Sequence, residues 1–329
     1  MTAPTVSPAD SPADSPAPHT GPSLSPSRAA DFKTCPLLFR FRTIDRLPEQ
    51  PTADQVRGTL VHAVLEALFD LPAADRTPEA AAALVAPSWQ RLLTEEPELA
   101  EIFAAATQPD PQPTALIDAA ATDAEIDATG GVAPTADEQA RLAAFLASAQ
   151  ALLPGYFALE DPRRLEPAER ETLVSTLVDD ELLIRGYIDR LDVSPAGDLR
   201  VVDYKTGGAP REAFEGRALF QLKFYALVLW RTRGVVPRVL RLVYLKDTEI
   251  CDYSPDAEEL ERFERTLVAL SQAIERAKRD QTFLPKRSRL CGWCSHQSVC
   301  PEFGGTPPPY PVAPTEQPQS GPADDDRLA

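Results

Sequence analysis

The sequence lacks several features, and each absence narrows what the chain can be. No run of 18 or more apolar residues occurs in its 329 positions, so no transmembrane helix is expected. The opening stretch, MTAPTVSPADSPADSPAPHTGPS, has neither a basic start nor an apolar core. A secretory signal is therefore not expected, and the cytoplasm is the expected location. There is no G-x-x-x-x-G-K-[ST] loop, so the chain carries no recognisable nucleotide-driven motor. The cysteines are few and odd in number, Cys35, Cys251, Cys291, Cys294 and Cys300. In a chain without a secretion signal that argues against a disulfide framework and toward metal ligation or catalysis.

An excess of positive charge is also missing, since the net charge is −17. Its distribution matters more than its sum. Residues 70–165 carry 16 acids against 5 bases, and residues 305–329 carry 4 acids against 1 base. The remaining chain is nearly neutral and rich in arginine. Net charge bears on solubility and non-specific binding rather than on fold, so it neither supports nor excludes a polyanionic substrate.

The Pro/Ser/Ala-rich residues 1–22, with a repeated SPAD, cannot bury a core and read as a disordered tail. Residues 305–329, Pro-rich and acidic, read the same way. Between them lies one domain, 23–304. Ser25 or Ser27 can cap a first helix with Pro26 in its first turn, and Cys35 lies on its apolar stripe just before Pro36. Val56, Leu60, Val64, Leu65 and Leu68 recur at helical spacing in a helix over 55–71 that carries His62. On the helix alone, that histidine reads as a half-buried core residue. Residues 72–165 form an acidic, Ala-rich helical insertion, with a loop over 108–134.

From Arg170 the period changes from helical to alternating. ETLVSTLV, ELLIRGYIDRLDV and LRVVDYKTG, separated by DD and SPAGD turns, predict a three-strand meander. A helix over 217–234 follows, then a strand over 238–246, a short extension at EICDYSP and a long helix over 256–281. This order implies an α/β (α+β) fold, a mixed sheet flanked by helices.

The chemistry concentrates in residues 181–207. Asp189 and Asp203 end two apolar strands, and Lys205 shares the face of Asp203 because strand side chains alternate. If the strands pair, both carboxylates can meet on one divalent cation such as Mg²⁺, which prefers hard oxygen ligands. The lysine can then stabilise charge on a phosphate. The competing reading is an acid–base ladder on a solvated sheet face, which fits less well because apolar residues flank both acids.

GYIDRLD followed by VVDYKTG resembles the core of the PD-(D/E)XK nuclease superfamily, in its RecB-type exonuclease branch. GTLVHAVLE matches the family's histidine-bearing helix at His62, and Gln221 and Tyr225 in FQLKFYAL match its QxxxY motif, on one helical face at i,i+4. The resemblance implies that His62, Asp189, Asp203 and the Tyr204 carbonyl hold Mg²⁺ or Mn²⁺, and that Lys205 is catalytic. Gln221 and Tyr225 would support the site or the DNA strand. An upstream acid, Glu169 or Glu171, matches a further family position. The "PD" of the family name is absent, since Asp189 follows Ile188. The implied activity is a metal-dependent DNA exonuclease in repair or recombination. Its partners are DNA, as single strands or duplex ends, and a helicase or other repair subunit that supplies movement. The rival readings are a non-catalytic DNA-binding or assembly subunit built on the same fold, and a small iron–sulfur redox protein.

Cys291-x2-Cys294-x5-Cys300-Pro301 forms a compact cluster near the C-terminus, over 284–304, and Cys35-Pro36 can add a fourth thiolate. Four thiolates suit Zn²⁺ or an iron–sulfur cluster, and the spacing does not choose between them. The same nuclease branch implies a 4Fe–4S cluster with one cysteine before the core and three after it, closing the domain onto its first helix. Cys251 reads as a small buried hydrophobe, His296 as incidental, and Trp293 as a cover for the cluster or a local packing residue. Arg28, Arg40, Arg42, Arg57, Arg185, Arg190, Arg211 and Arg217 read mostly as solvated surface. The run Lys286–Arg289 is a secondary candidate for phosphate contact.

Overall fold

The computed structural model of the chain describes residues 21–100, 102, 135–209 and 215–311. The tail over 1–20, the loop over 108–134, Arg211, the side chain of Arg217 and the tail beyond 311 lie outside the described residues.

A six-stranded mixed sheet forms the centre, with helices on both faces. Strand β1 is only Ser23–Leu24. Helix α1, Pro26–Thr34, follows at once, capped by the Ser25 side chain, which accepts from the Arg28 amide. Pro36 lacks an amide hydrogen and forces its predecessor into extended backbone, so Cys35 interrupts the helical run with φ −159°. Helix α2, Pro36–Phe39, then starts afresh. Helix α3, Ala53–Leu68, opens with a reciprocal Thr52–Gln55 capping box.

The insertion contributes α4, Pro78–Glu95, α5, Ala136–Gln150, and α6, Leu153–Leu159. Ala136–Leu159 has the length and apolar composition of a membrane span. Here it is two helices that meet at Ala151–Leu152 and bury Phe145, Ala149, Leu153 and Tyr156 against α3 and the sheet.

The predicted meander forms as read. Strand β2, Glu169–Val178, turns through Asp179 and Asp180, both at positive φ, into β3, Leu182–Val193. Such paired left-handed residues match the twist of a tight hairpin. Strand β4, Leu199–Lys205, returns antiparallel to β3. Helix α7, Glu215–Arg233, carries the chain across the sheet to β5, Val239–Tyr244, which runs parallel to β4. The short β6, Glu249–Tyr253, closes the far edge, and α8, Ala257–Arg279, has an acidic start and a basic end that complement its dipole.

Two cores sandwich the sheet. Residues Leu199, Val201, Leu240 and Leu242 point toward α1, α2, α7 and α8, whereas Val202, Tyr204, Val243 and Leu245 point toward α3 to α6. This is period-two alternation with both faces buried.

One topological detail makes the site. Strand β2 occupies one edge of β3 along Leu182–Leu191. The other edge is shared: β1 pairs with Leu183–Ile184 and β4 with Arg190–Val193. Between these two partners β3 has a notch.

Past Gly304 the chain stays in contact with the domain. Tyr310 stacks on Phe283 at 6.1 Å and lies near the Arg40 guanidinium, so contact extends beyond the boundary read from composition.

Candidate metal centre

The notch is where the acids meet. The β3–β4 register pairs Arg190 with Val202 and Leu191 with Val201, so one step further along Asp189 faces Asp203. The β2–β3 register pairs Arg170 with Arg190 and Thr172 with Ile188, which sets Glu171 opposite Asp189. Three carboxylates therefore stand in a row across three neighbouring strands. The alternation of β3 slips at this point, since Ile188 and Leu191 lie in the same core while Arg190 points to the opposite side. Glu171 adopts φ 42°, an uncommon left-handed conformation for a residue other than glycine.

Helix α3 delivers His62 over this row. Its Nδ1 lies 3.4 Å from Asp189 Oδ2 and 3.8 Å from Glu171 Oε1, and its Nε2 lies 2.9 Å from the Tyr204 carbonyl. Nε2–H therefore donates to that carbonyl, and Nδ1 faces the acids. The Asp189 carboxylate also accepts the Tyr204 amide at 2.8 Å. Among the described residues, His62, Glu171 and Asp189 form the one group of three or more potential ligands whose donor atoms lie within 4.8 Å of one another.

Lys205 and its supports complete the picture. Its Nζ lies 2.6 Å from Asp203 Oδ2 and donates to Gln221 Oε1 at 3.2 Å. Gln221 Nε2 in turn donates to the Tyr225 hydroxyl at 2.9 Å, so i,i+4 spacing on α7 links both residues to the lysine. The Tyr225 ring lies against Gly186 of β3, where a Cβ would come within 2.6 Å of it.

The electrostatics are those of a site short of positive charge. Burial and repulsion from Asp203 push Asp189 up to about 7. Burial works against protonation of His62, yet Asp189, Glu171 and Asp203 overcome it and raise His62 to about 9. Asp203, 2% exposed, has an Oδ2 with no hydrogen-bond partner apart from its ion contact with Lys205. Clustered acids of this kind, with an imidazole nitrogen facing them, fit a divalent cation.

His62, Asp189, Asp203, Lys205, Gln221 and Tyr225 lie around this notch, but two of the predicted ligands stand differently: Asp203 is beside the tight group of His62, Glu171 and Asp189, and the Tyr204 carbonyl accepts from His62 Nε2 on the side of the ring away from the acids. The choice between Glu169 and Glu171 falls on Glu171, because Glu169 ion-pairs with Arg233 instead.

One residue read as solvated surface is not. Arg190 is 0% exposed and is held by Glu160 at 2.7 and 3.0 Å, by Asp192 at 3.1 Å and by the Tyr204 hydroxyl at 2.6 Å. A guanidinium is buried only when paired in this way. The network anchors the Tyr204 side chain behind the sheet while its carbonyl accepts from His62. Glu160 lies just past α6, thirty positions upstream, which is why local pattern could not reveal it. Arg40 is likewise buried, paired with Asp45 at 3.0 Å.

The cysteines are a separate matter. No disulfide forms. Cys35, Cys291, Cys294 and Cys300 line one cavity with Leu37, Leu38 and Phe41. The Lys286 amide donates to Cys35 Sγ and the Ser288 amide to Cys291 Sγ, each at 3.3 Å. Their sulfurs do not gather within 4.8 Å as ligands of a single ion would. Trp293 neither covers the cavity nor packs, being 81% exposed. His296 turns to Glu49 at 2.6 Å and to the Phe41 ring. In the basic run, Lys286 Nζ donates to the Lys33 carbonyl.

The family model of the PD-(D/E)XK nuclease superfamily matches residues 23–301. The chain belongs to this superfamily. The matched span takes in the nuclease sheet, its insertion and the three C-terminal cysteines. Among solved structures, a protein of Eubacterium rectale named as a candidate exonuclease is similar at 10% identity. It covers 83% of this chain and 87% of its own, with a TM-score of 0.46. The protein SSO0001 is similar at 20% identity over 51% of this chain and 75% of its own, with a TM-score of 0.33. No curated protein sequence matches significantly.

Proposed function

We propose that this superfamily member is a metal-dependent DNA nuclease of the RecB type, acting as an exonuclease in cytoplasmic DNA repair or recombination. The observation that carries the reading is the group His62, Glu171 and Asp189, whose donor atoms lie within 4.8 Å of one another, with Asp203 opposite Asp189 on the next strand and Lys205 Nζ 2.6 Å from Asp203. A divalent cation, Mg²⁺ or Mn²⁺, held by His62 Nδ1, Glu171 and Asp189 with Asp203 beside them would neutralise phosphate charge and make water a better nucleophile, while the Tyr204 carbonyl, on the Nε2 side of the ring, would orient His62 and not bind that ion.

The protein's own groups do the rest. The Tyr204 carbonyl fixes the His62 tautomer by accepting from Nε2. Gln221, steadied by Tyr225, keeps the Lys205 ammonium at the acids, where it can orient water and stabilise a phosphoryl oxygen. In the reaction, a water oxygen bonds to phosphorus and the bridging P–O bond breaks. The departing oxygen takes up the proton that water releases.

The same proposal includes a 4Fe–4S cluster on Cys35, Cys291, Cys294 and Cys300, with zinc as the rival occupant. Its support is the shared apolar cavity, the two N–H···S contacts and the split of the cysteines between the two ends of the domain. Tetrahedral zinc would draw its sulfurs to about 3.8 Å apart, whereas no three of these thiols lie within 4.8 Å of one another. Without a motor motif, movement along DNA would come from a helicase or another repair subunit.

The test uses purified protein with Mg²⁺ or Mn²⁺ and end-labelled single- and double-stranded DNA. Asp203→Ala and Lys205→Ala should each lose about 10²-fold or more in cleavage rate with unchanged folding. Undiminished degradation by both variants overturns the assignment, and DNA binding without cleavage by the wild type points to the non-catalytic subunit. For the cluster, an anaerobic preparation should be brown, and Cys35→Ser should lose the colour. A colourless protein with stoichiometric zinc decides against it.

A further inference from the structure

Tyr187 is 58% exposed on β3, two residues before Asp189. It borders two cavities, one reaching the acids and one reaching the residues that hold Lys205. One, of about 390 Å³, is shared with His62 and Glu171, and the other, of about 550 Å³, with Gln221 and Tyr225. Strand alternation sends Arg185 out on the same face as Tyr187, one pleat repeat away. Arg185 is exposed and, among the described residues, has no carboxylate partner. Leu173, the cross-strand partner of Tyr187, is 50% exposed and extends the apolar surface beside the ring.

More than half of Tyr187 stays in water beside a cluster of acids, so packing occupies only part of the side chain. An acidic centre repels phosphate, so a nucleic acid needs attraction from outside it. An aromatic face and an unpaired cation at adjacent outward positions are what a single strand uses: bases stack on the ring and the backbone meets the charge. Bases inside a duplex present no free face to such a ring.

We infer that Tyr187 is a stacking platform for an unpaired base beside the scissile phosphate, with Arg185 holding a neighbouring phosphate, so that the strand entering the site is single. The inference rests on the nuclease reading and narrows its substrate.

The experiment measures single-turnover cleavage of end-labelled single-stranded DNA, intact or with one abasic position walked along it. Binding of the same probes is measured by anisotropy in the Lys205→Ala protein. Tyr187→Ala should lose about 10-fold or more in binding and cleavage of intact DNA, Tyr187→Phe should keep both, and all variants should melt like their parents. An abasic position at the stacking site should cost the wild type a similar factor and Tyr187→Ala nothing further. Arg185→Ala should lower the salt slope of binding by about 0.7. Wild-type cleavage unaffected by Tyr187→Ala overturns the inference and leaves the nuclease reading standing, with the exposed face then free for a protein partner. Tyr187-dependent binding without wild-type cleavage removes the nuclease reading and with it the scissile phosphate, and keeps only a single-strand stacking face on a non-catalytic subunit. Absence of both binding and cleavage removes both.

Discussion

Gly186→Ala is a single-methyl change that links the strand motif to the helix motif. An added Cβ would lie 2.6 Å from Tyr225 Cε1 and 3.3 Å from Pro26 Cδ. Carbon atoms rest at about 3.5–4.0 Å, so the ring must retreat by roughly 1 Å. Tyr225 is only 4% exposed and cannot swing into solvent. Overpacking of this kind costs about 1–3 kcal/mol, or roughly 2–12 °C in melting temperature at 2–4 °C per kcal/mol. The retreat also stretches the 2.9 Å contact with Gln221 and so loosens Lys205. A displacement of about 1 Å at a supporting residue can cost on the order of 10²-fold in rate. The assay is a double-mutant cycle in thermal unfolding and single-turnover cleavage. Gly186→Ala should be costly alone and cost less than about 0.5 kcal/mol in a Tyr225→Ala background, because the clash is then gone. Equal cost in both backgrounds would refute the steric argument.

Two further predictions concern charge. His62 and Asp189 are both raised, so the cation-free folded state holds protons that the unfolded chain has released. Protonation of Asp189 makes stability fall as pH rises from about 4 to 7, and the stabilisation from the His62 proton, complete below about 6.5, is lost as pH climbs through 9. Melting temperatures at pH 5, 7 and 9 should therefore decline without cation. Mn²⁺ should displace these protons and flatten the decline, and a profile that Asp189→Asn leaves unchanged would contradict this. Arg190→Ala should cost about 1.5–3 kcal/mol in urea unfolding, because it removes two charge-assisted hydrogen bonds and leaves the buried Glu160 carboxylate with Arg241 alone at 3.2 Å. A cost below 1 kcal/mol would show that the network is solvated in solution.

The elements of this protein were legible because local pattern governs them. Alternation marks β2 to β4, helical spacing marks α3, and Pro36 and the capping residues set helix ends. The resemblance carried by GYIDRLD, VVDYKTG, GTLVHAVLE and QxxxY also named side chains that the fold places near one another, since α3 and α7 each present one face to the sheet. The sequence by itself therefore determined the strand and helix inventory and most of the candidate site. Tertiary structure alone decided between Glu169 and Glu171. Two residues apart on an ideal strand, they would share a face, but the left-handed backbone at Glu171 breaks the alternation and sends one acid to Arg233 and the other to His62. It alone decided that Arg190 is buried, because Glu160 comes from a distant helix end. It also created the notch in β3, which exists only because β1 and β4 share an edge without meeting. Each of these depends on groups far apart in the chain, and neither period nor spacing carries that information.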